Sequence, residues 1–187
     1  MLKVIPRNHL SVKLVGGVEL ISPYLSSCPC NHPVRFESLH ADIVFSSSPL
    51  PDDLPLNEGK YEGQITGAKL WFDDYSHTNT LIVTLDSPSL VDRHNSIIDN
   101  YHVESANASY TPHVALLYRA IPNHQSFRWW YNEVIETFNG RLKGKTLTFQ
   151  GEVITSSSMW IKDSTSDTGT PNSEATNSGD GVNTPML

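Results

Sequence analysis

Two stretches 73 residues apart repeat one pattern, and that repeat limits what this chain can fold into. They read Ser38-Leu39-His40-Ala41-Asp42-Ile43-Val44-Phe45 and Thr111-Pro112-His113-Val114-Ala115-Leu116-Leu117-Tyr118. Each has a histidine at the head of a short apolar run, a hydroxyl residue two before it and an aromatic five after it. Apolar runs this short fit strands better than helices. Side chains alternate along a strand, so His40 shares a face with Ser38 and Asp42, and His113 with Thr111 and Ala115. Two such strands aim two imidazoles at one phosphate. Imidazole serves as base and as acid near neutral pH without large tuning, so His40 and His113 are the candidate catalytic pair, with Asp42 beside them.

The surrounding elements follow the same reading. Leu10 to Val15 alternates as a first strand and stops at Gly16-Gly17. Val18 to Ser27 suggests a short helix that Pro23 weakens. Pro49 to Asn57, with three prolines and two aspartates, predicts a surface loop. Lys60 to Asp74 and Thr80 to Asp86 predict a strand pair across the polar turn between them. Ser87 is a natural N-cap and Pro88 suits a first helical position, followed by Leu90, His94, Ile97, Ile98 and Tyr101 at helical spacing. Phe127 to Phe138 predicts a second helix ended by Asn139-Gly140, with Trp129 and Trp130 read as core packing. Lys145 to Thr155 alternates as a last strand. Strands with helices between them, in both halves, predict an α+β or mixed α/β domain with a weak internal duplication. No glycine signature of a Rossmann or P-loop fold is present.

Of the 187 residues, those from Lys162 onward are mostly Ser, Thr, Asn, Asp and Gly. Such a segment buries too little surface to offset its ordering entropy, which predicts a body over residues 1–161 and a disordered tail over 162–187. The formal charge is −7, and the tail contributes one lysine against four acidic residues. An acidic body demotes a non-specific binder of long nucleic acid but leaves room for a small phosphorylated ligand. No apolar run approaches the 18 or so residues of a membrane span, and Met1 to His9 lacks a signal-peptide core, so the expectation is cytosolic. Cys28, Cys30 and His32 supply at most three zinc ligands with no second cluster, and the expectation is reduced loop thiols. The other histidines repeat no context, and His77, His94, His102 and His124 are read as solvated.

Paired histidine strands of this kind resemble the 2H phosphoesterase superfamily. The segment from Leu81 to His94, with Asp86-Ser87-Pro88 opening the helix, and the segment from Tyr110 to Tyr118 resemble phage anti-CBASS nucleases, which degrade the cyclic oligonucleotide alarms of bacterial antiviral defence. The resemblance is good over roughly residues 38 to 118 and absent from the tail. It implies a bilobal 2H phosphoesterase-like α+β fold: two pseudo-symmetric lobes of antiparallel strands with helices packed outside. It also implies a cyclic di- or trinucleotide partner, no cofactor and no metal, and the cytoplasm of an infected bacterial host. By position it assigns Lys13 to phosphate, Trp71 and Trp160 to base stacking and Glu152 to base reading. Where the family carries Thr or Ser two after each histidine, this chain carries Asp42 and Ala115. Alanine donates nothing, and an ionised Asp42 repels phosphate while raising the pKa of His40. Ser38 and Thr111 are the hydroxyls left to compensate.

The resulting expectation is a metal-independent cleavage of 3′–5′ phosphodiester bonds. One neutral histidine takes the proton of the ribose 2′-OH and the other, protonated, serves the leaving 5′-oxygen. A sponge that binds the cyclic nucleotide without cutting it, or an interaction protein on the same fold, are the alternatives.

Overall fold

Every strand and helix marked by the alternation is present, and the first and last strands are far longer than the pattern suggests. The computed structural model describes residues 2–29, 33–73, 78–105, 109–120 and 125–162. In chain order these form β1 (Leu2–Gly16), α1 (Val18–Ser26), β2 (His40–Ser46), β3 (Lys60–Asp73) and β4 (Thr78–Asp86), then α2 (Pro88–Tyr101), β5 (His113–Ala120), α3 (Gln125–Asn139) and β6 (Thr146–Lys162). No regular element falls in the proline-rich stretch from Pro49 to Asn57. Of the tail expected to be disordered, Lys162 is the last residue of β6, and residues 163–187 lie outside the described residues, as does the centre of the turn between β3 and β4.

The expected two lobes are not there. The six described strands close into one antiparallel barrel in the order β1-β2-β5-β4-β3-β6. The cause is the length of the terminal strands. β1 and β6 pair from Leu2↔Lys162 to Gly16↔Thr148, while β1 also pairs with β2 and β6 with β3. Strands from the two halves of the sequence are thereby sewn into a single sheet without free edges, which removes the edge-pairing hazard. The histidine strands β2 and β5 meet at one registered pair, Ala41↔Val114.

A matching β-bulge lies in each of those strands, and β5 shifts register once more toward its end, between Leu117 and Ala120. Leu10 opposes Val44 and Ser11 opposes Asp42, so Ile43 is an extra residue in β2. Leu81 opposes Leu117 and Ile82 opposes Ala115, so Leu116 is an extra residue in β5. Both strands consequently show the same sequence of half-buried and buried positions over their first five residues, with two consecutive buried residues at Ile43-Val44 and Leu116-Leu117. A bulge turns backbone groups out of the ladder, and buried ones need other partners. In β2 the Asp42 carbonyl accepts from the Tyr110 hydroxyl at 2.9 Å and the Ile43 carbonyl from His94 Nδ1 at 2.6 Å. The two donors stack on each other, ring centroids 4.2 Å apart and planes within 5°. His94, expected to be solvated, is therefore buried on the inner face of α2, because it carries the donor this carbonyl requires. His102 is exposed, whereas His77 and His124 lie outside the described residues.

Ser87 caps α2 as expected: its hydroxyl accepts from the Leu90 N–H and donates to the Glu62 carbonyl at 2.6 Å, tying the helix to β3. In α3 the paired tryptophans part company. Trp130 is fully buried and donates to the Tyr24 carbonyl at 3.0 Å, while Trp129 is 69 % exposed, which corrects its reading as core. Asn139 closes α3 by accepting from the Ala68 N–H at 3.1 Å. A Cβ on Gly67 would stand 2.1 Å from that Asn139 oxygen, so only glycine permits the tie. Cys28 is disulfide-bonded rather than the reduced thiol expected, so it has no thiolate to offer a metal; Cys30 and His32 lie outside the described residues.

Candidate active site

His40 and His113 open β2 and β5, the two strands that meet at Ala41↔Val114, so the barrel brings the repeated histidines to one place. Each ring is pinned in the same way. His40 Nδ1 lies 2.6 Å from the Ser38 carbonyl and His113 Nδ1 lies 2.8 Å from the Thr111 carbonyl. A carbonyl only accepts, so Nδ1 carries the proton in both rings and Nε2 is left for chemistry. The residues two before each histidine thus contribute, but through their backbone oxygens rather than the hydroxyls singled out by the sequence.

The surroundings of the two rings differ. His40 Nε2 stands 3.4 Å from Asp42 Oδ1, and His9 Nδ1 stands 3.6 Å from the same oxygen. That oxygen is sealed from solvent, and both imidazoles stand close to it without a hydrogen bond of good geometry. Contact with Asp42 raises the pKa of His40 against the opposing effect of burial. Burial pushes the Asp42 carboxyl up, and His40 and His9 outweigh it, holding the group well below the usual carboxylate range. His113 goes the other way. Burial lowers its pKa, and the Thr111 carbonyl and the nearby Asp42 offset this only in part. His40 is thereby the more readily protonated of the two rings and His113 the more readily neutral.

Cross-strand neighbours complete the face. Direct partners in an antiparallel pair project to the same side, which sets Lys13 beside His40, Ser11 beside Asp42, His9 beside Phe45 and Thr84 beside His113. Trp71 reaches across from β3 to His113, ring centroids 4.9 Å apart, and the Lys69 ammonium lies 5.9 Å from the Trp71 ring centroid. Thr84 and Thr66 join hydroxyls at 2.7 Å at the rim of this group. The barrel thus gathers Lys13, Ser38, His40, Asp42, Trp71, Thr111 and His113 from four separate places in the chain.

Glu152 is held elsewhere. It is buried, and Arg93 meets it through two hydrogen bonds of 2.8 Å each, Nε to Oε1 and Nη2 to Oε2. The Tyr61 hydroxyl donates to Oε1 and the Asn57 N–H to Oε2 at 2.8 Å. Four donors fill the acceptor positions of one carboxylate, so this group ties β6 to β3 and α2 and leaves no lone pair for a base edge. Trp160 pairs with Val4 in the β1–β6 ladder, and its side chain lies outside those described.

Sequence reasoning missed His9, Ser11, Lys69 and Thr84. The alternation His9, Ser11, Lys13 was a usable signal for the first two, had the first strand been traced back past Leu10. Lys69 and Thr84 become visible only once β3, β4 and β5 are in register. Among the described residues, no three His, Cys, Asp or Glu side chains group to hold a metal ion. No helix among them is long and apolar enough to cross a membrane.

The class defined by fold and site is a closed antiparallel barrel bearing two imidazoles, shifted in opposite directions, between a carboxylate and a tryptophan. The family described as "Anti-CBASS protein Acb1" matches residues 18–137, and the chain belongs to that family. Membership implies a part in countering CBASS and a relation to its cyclic oligonucleotide signals. No curated protein matches the chain.

Proposed function

We propose that the protein counters CBASS by cutting the cyclic oligonucleotide signal, as a phosphodiesterase of the 2H type acting on 3′–5′ bonds. The supporting observation is the pair of imidazoles with identical Nδ1 anchors and opposite pKa shifts. Neutral His113 takes the ribose 2′-OH proton at Nε2. The 2′-oxygen attacks phosphorus, the bond from phosphorus to the 5′-oxygen breaks, and protonated His40 gives its Nε2 proton to that oxygen. The product is a 2′,3′-cyclic phosphate. Because the nucleophile belongs to the substrate, positioning and charge complementarity are the demands left to the protein. Lys13, exposed beside His40, meets phosphate charge, and Trp71 offers a ring to a base.

Incubation with a panel of cyclic di- and trinucleotides in EDTA, read by chromatography, tests the proposal. A linear product ending in a 2′,3′-cyclic phosphate is expected, and no product from any member of the panel overturns it. One observation favours a second reading, a sponge. Asp42 already occupies the Nε2 side of His40, and Ala115 offers no donor where a hydroxyl would steady the phosphate. Retention of unaltered nucleotide would decide for it.

A further inference from the structure

Phe45 and Tyr118 each stand five residues after a histidine, an odd separation that strict alternation assigns to the opposite face of the strand. The bulges at Ile43 and Leu116 each insert one residue, which restores both rings to the histidine face. A device used twice, in the two strands that hold the imidazoles, delivers the same product each time: an aromatic ring on the histidine face of its strand. Neither ring serves the core. Tyr118 is 50 % exposed directly after fully buried Leu116 and nearly buried Leu117, and Phe45 is only half-buried.

We propose that Phe45 and Tyr118 are paired nucleobase platforms, and that the site takes a ligand in which two bases flank one phosphodiester. The Phe45 ring packs against His9 at 4.9 Å, and the Arg7 guanidinium carbon stands 5.2 Å from its centroid. Tyr118 lies within electrostatic reach of Arg7 and of Asp42. An unbroken series of contacts therefore runs from Arg7 through Phe45, His9 and Asp42 to His40. On the other side of the centre, His113 continues it to Trp71 and Lys69. Rings that stack and cations that meet phosphate or ring π-faces are the chemistry of nucleotide recognition, and here they flank the scissile position on both sides. The inference rests on the phosphodiesterase reading and adds the number of bases the site reads.

The test compares Phe45→Leu and Tyr118→Leu with the wild type on 3′,3′-linked cyclic diadenylate and its linear counterpart, with thermal unfolding as a fold control. Stacking on an aromatic ring contributes about 1–3 kcal/mol per base, so KM is expected to rise about 5- to 150-fold in each variant with kcat largely kept. Phe45→Trp should restore KM, which separates stacking from mere packing. If the wild type binds without cutting, the same shifts are expected in Kd. An active wild type whose folded leucine variants keep KM within about twofold overturns this inference and leaves the phosphodiesterase reading standing. A wild type that neither cuts nor binds overturns both.

Discussion

Strands β2 and β5 carry one pattern with two outcomes. Both begin at a histidine whose Nδ1 meets the carbonyl two residues back, and both bulge at the fourth residue. Yet the His40 pKa rises and the His113 pKa falls. The backbone is common, so the difference comes from what stands beside each ring. His40 has a carboxylate in contact, and His113 has the Trp71 ring and a pKa set mainly by burial. Aspartate at 42 sets the rise at His40, whereas alanine at 115 supplies no such carboxylate and burial sets the fall at His113. A repeated backbone can supply position while single side chains assign charge.

The strongest way to break the comparison is to remove one ring at a time. His40→Ala and His113→Ala should each lower kcat on a cyclic dinucleotide by about 10²–10⁴-fold, since each loses one proton-transfer group. Circular dichroism should show the barrel retained. Turnover at the wild-type rate in either variant would remove that histidine from the chemistry.

The charge difference itself is tested by pH. With the base shifted below the ordinary imidazole range and the acid above it, the working ionisation state is the majority state between the two values, and kcat/KM should follow a bell. The acid limb reports His113 losing its lone pair, and the alkaline limb reports His40 losing its proton. Asp42→Asn removes the main cause of the raised value, so the alkaline limb should move to lower pH while the acid limb moves less. An alkaline limb that stays in place would show that something other than Asp42 keeps His40 charged.

Much of this comparison was legible in the residues, and the reasons for the misses are physical. The strands, both principal helices, the Ser87 cap and the histidine pair follow from local periodicity, which the sequence records directly. Barrel closure does not. It depends on β1 and β6 recognising each other across the whole chain, and a repeat in the middle suggested two lobes instead. His94 was misread because its reason for burial, the Ile43 carbonyl released by a bulge, exists only after β1 and β2 are in register. For Glu152, position along the last strand suggested a ligand group, while its four donors come from Arg93, Tyr61 and Asn57, far away in sequence.

Making the two strands more alike should have a moderate effect. Ala115→Thr supplies a hydroxyl donor beside the phosphate position. Loss of such a donor in other sites costs about 10²–10³-fold, so even an imperfect gain should be visible in kcat. No gain would indicate that Thr84, already beside His113, fills the role, and Thr84→Val should then slow the reaction. On the scaffold side, His94→Phe keeps the stack on Tyr110 but deprives the Ile43 carbonyl of its donor. An unsatisfied buried group costs about 1–3 kcal/mol, which denaturant unfolding would register as a lower midpoint.

The smallest effect is expected where the sequence pointed to hydroxyls and the structure uses carbonyls. Ser38→Ala and Thr111→Val delete the two side-chain oxygens and leave the backbone oxygens that hold His40 and His113 at 2.6 and 2.8 Å. Substitutions that touch no partner stay within about 0.5 kcal/mol, so kcat and KM should change by about twofold or less in either variant. Neither pH limb should move, because the Nδ1 anchors persist. A large loss of kcat in the double variant would mean that these hydroxyls turn toward the phosphate during the reaction, and would return to the side chains the role that the geometry gives to the backbone.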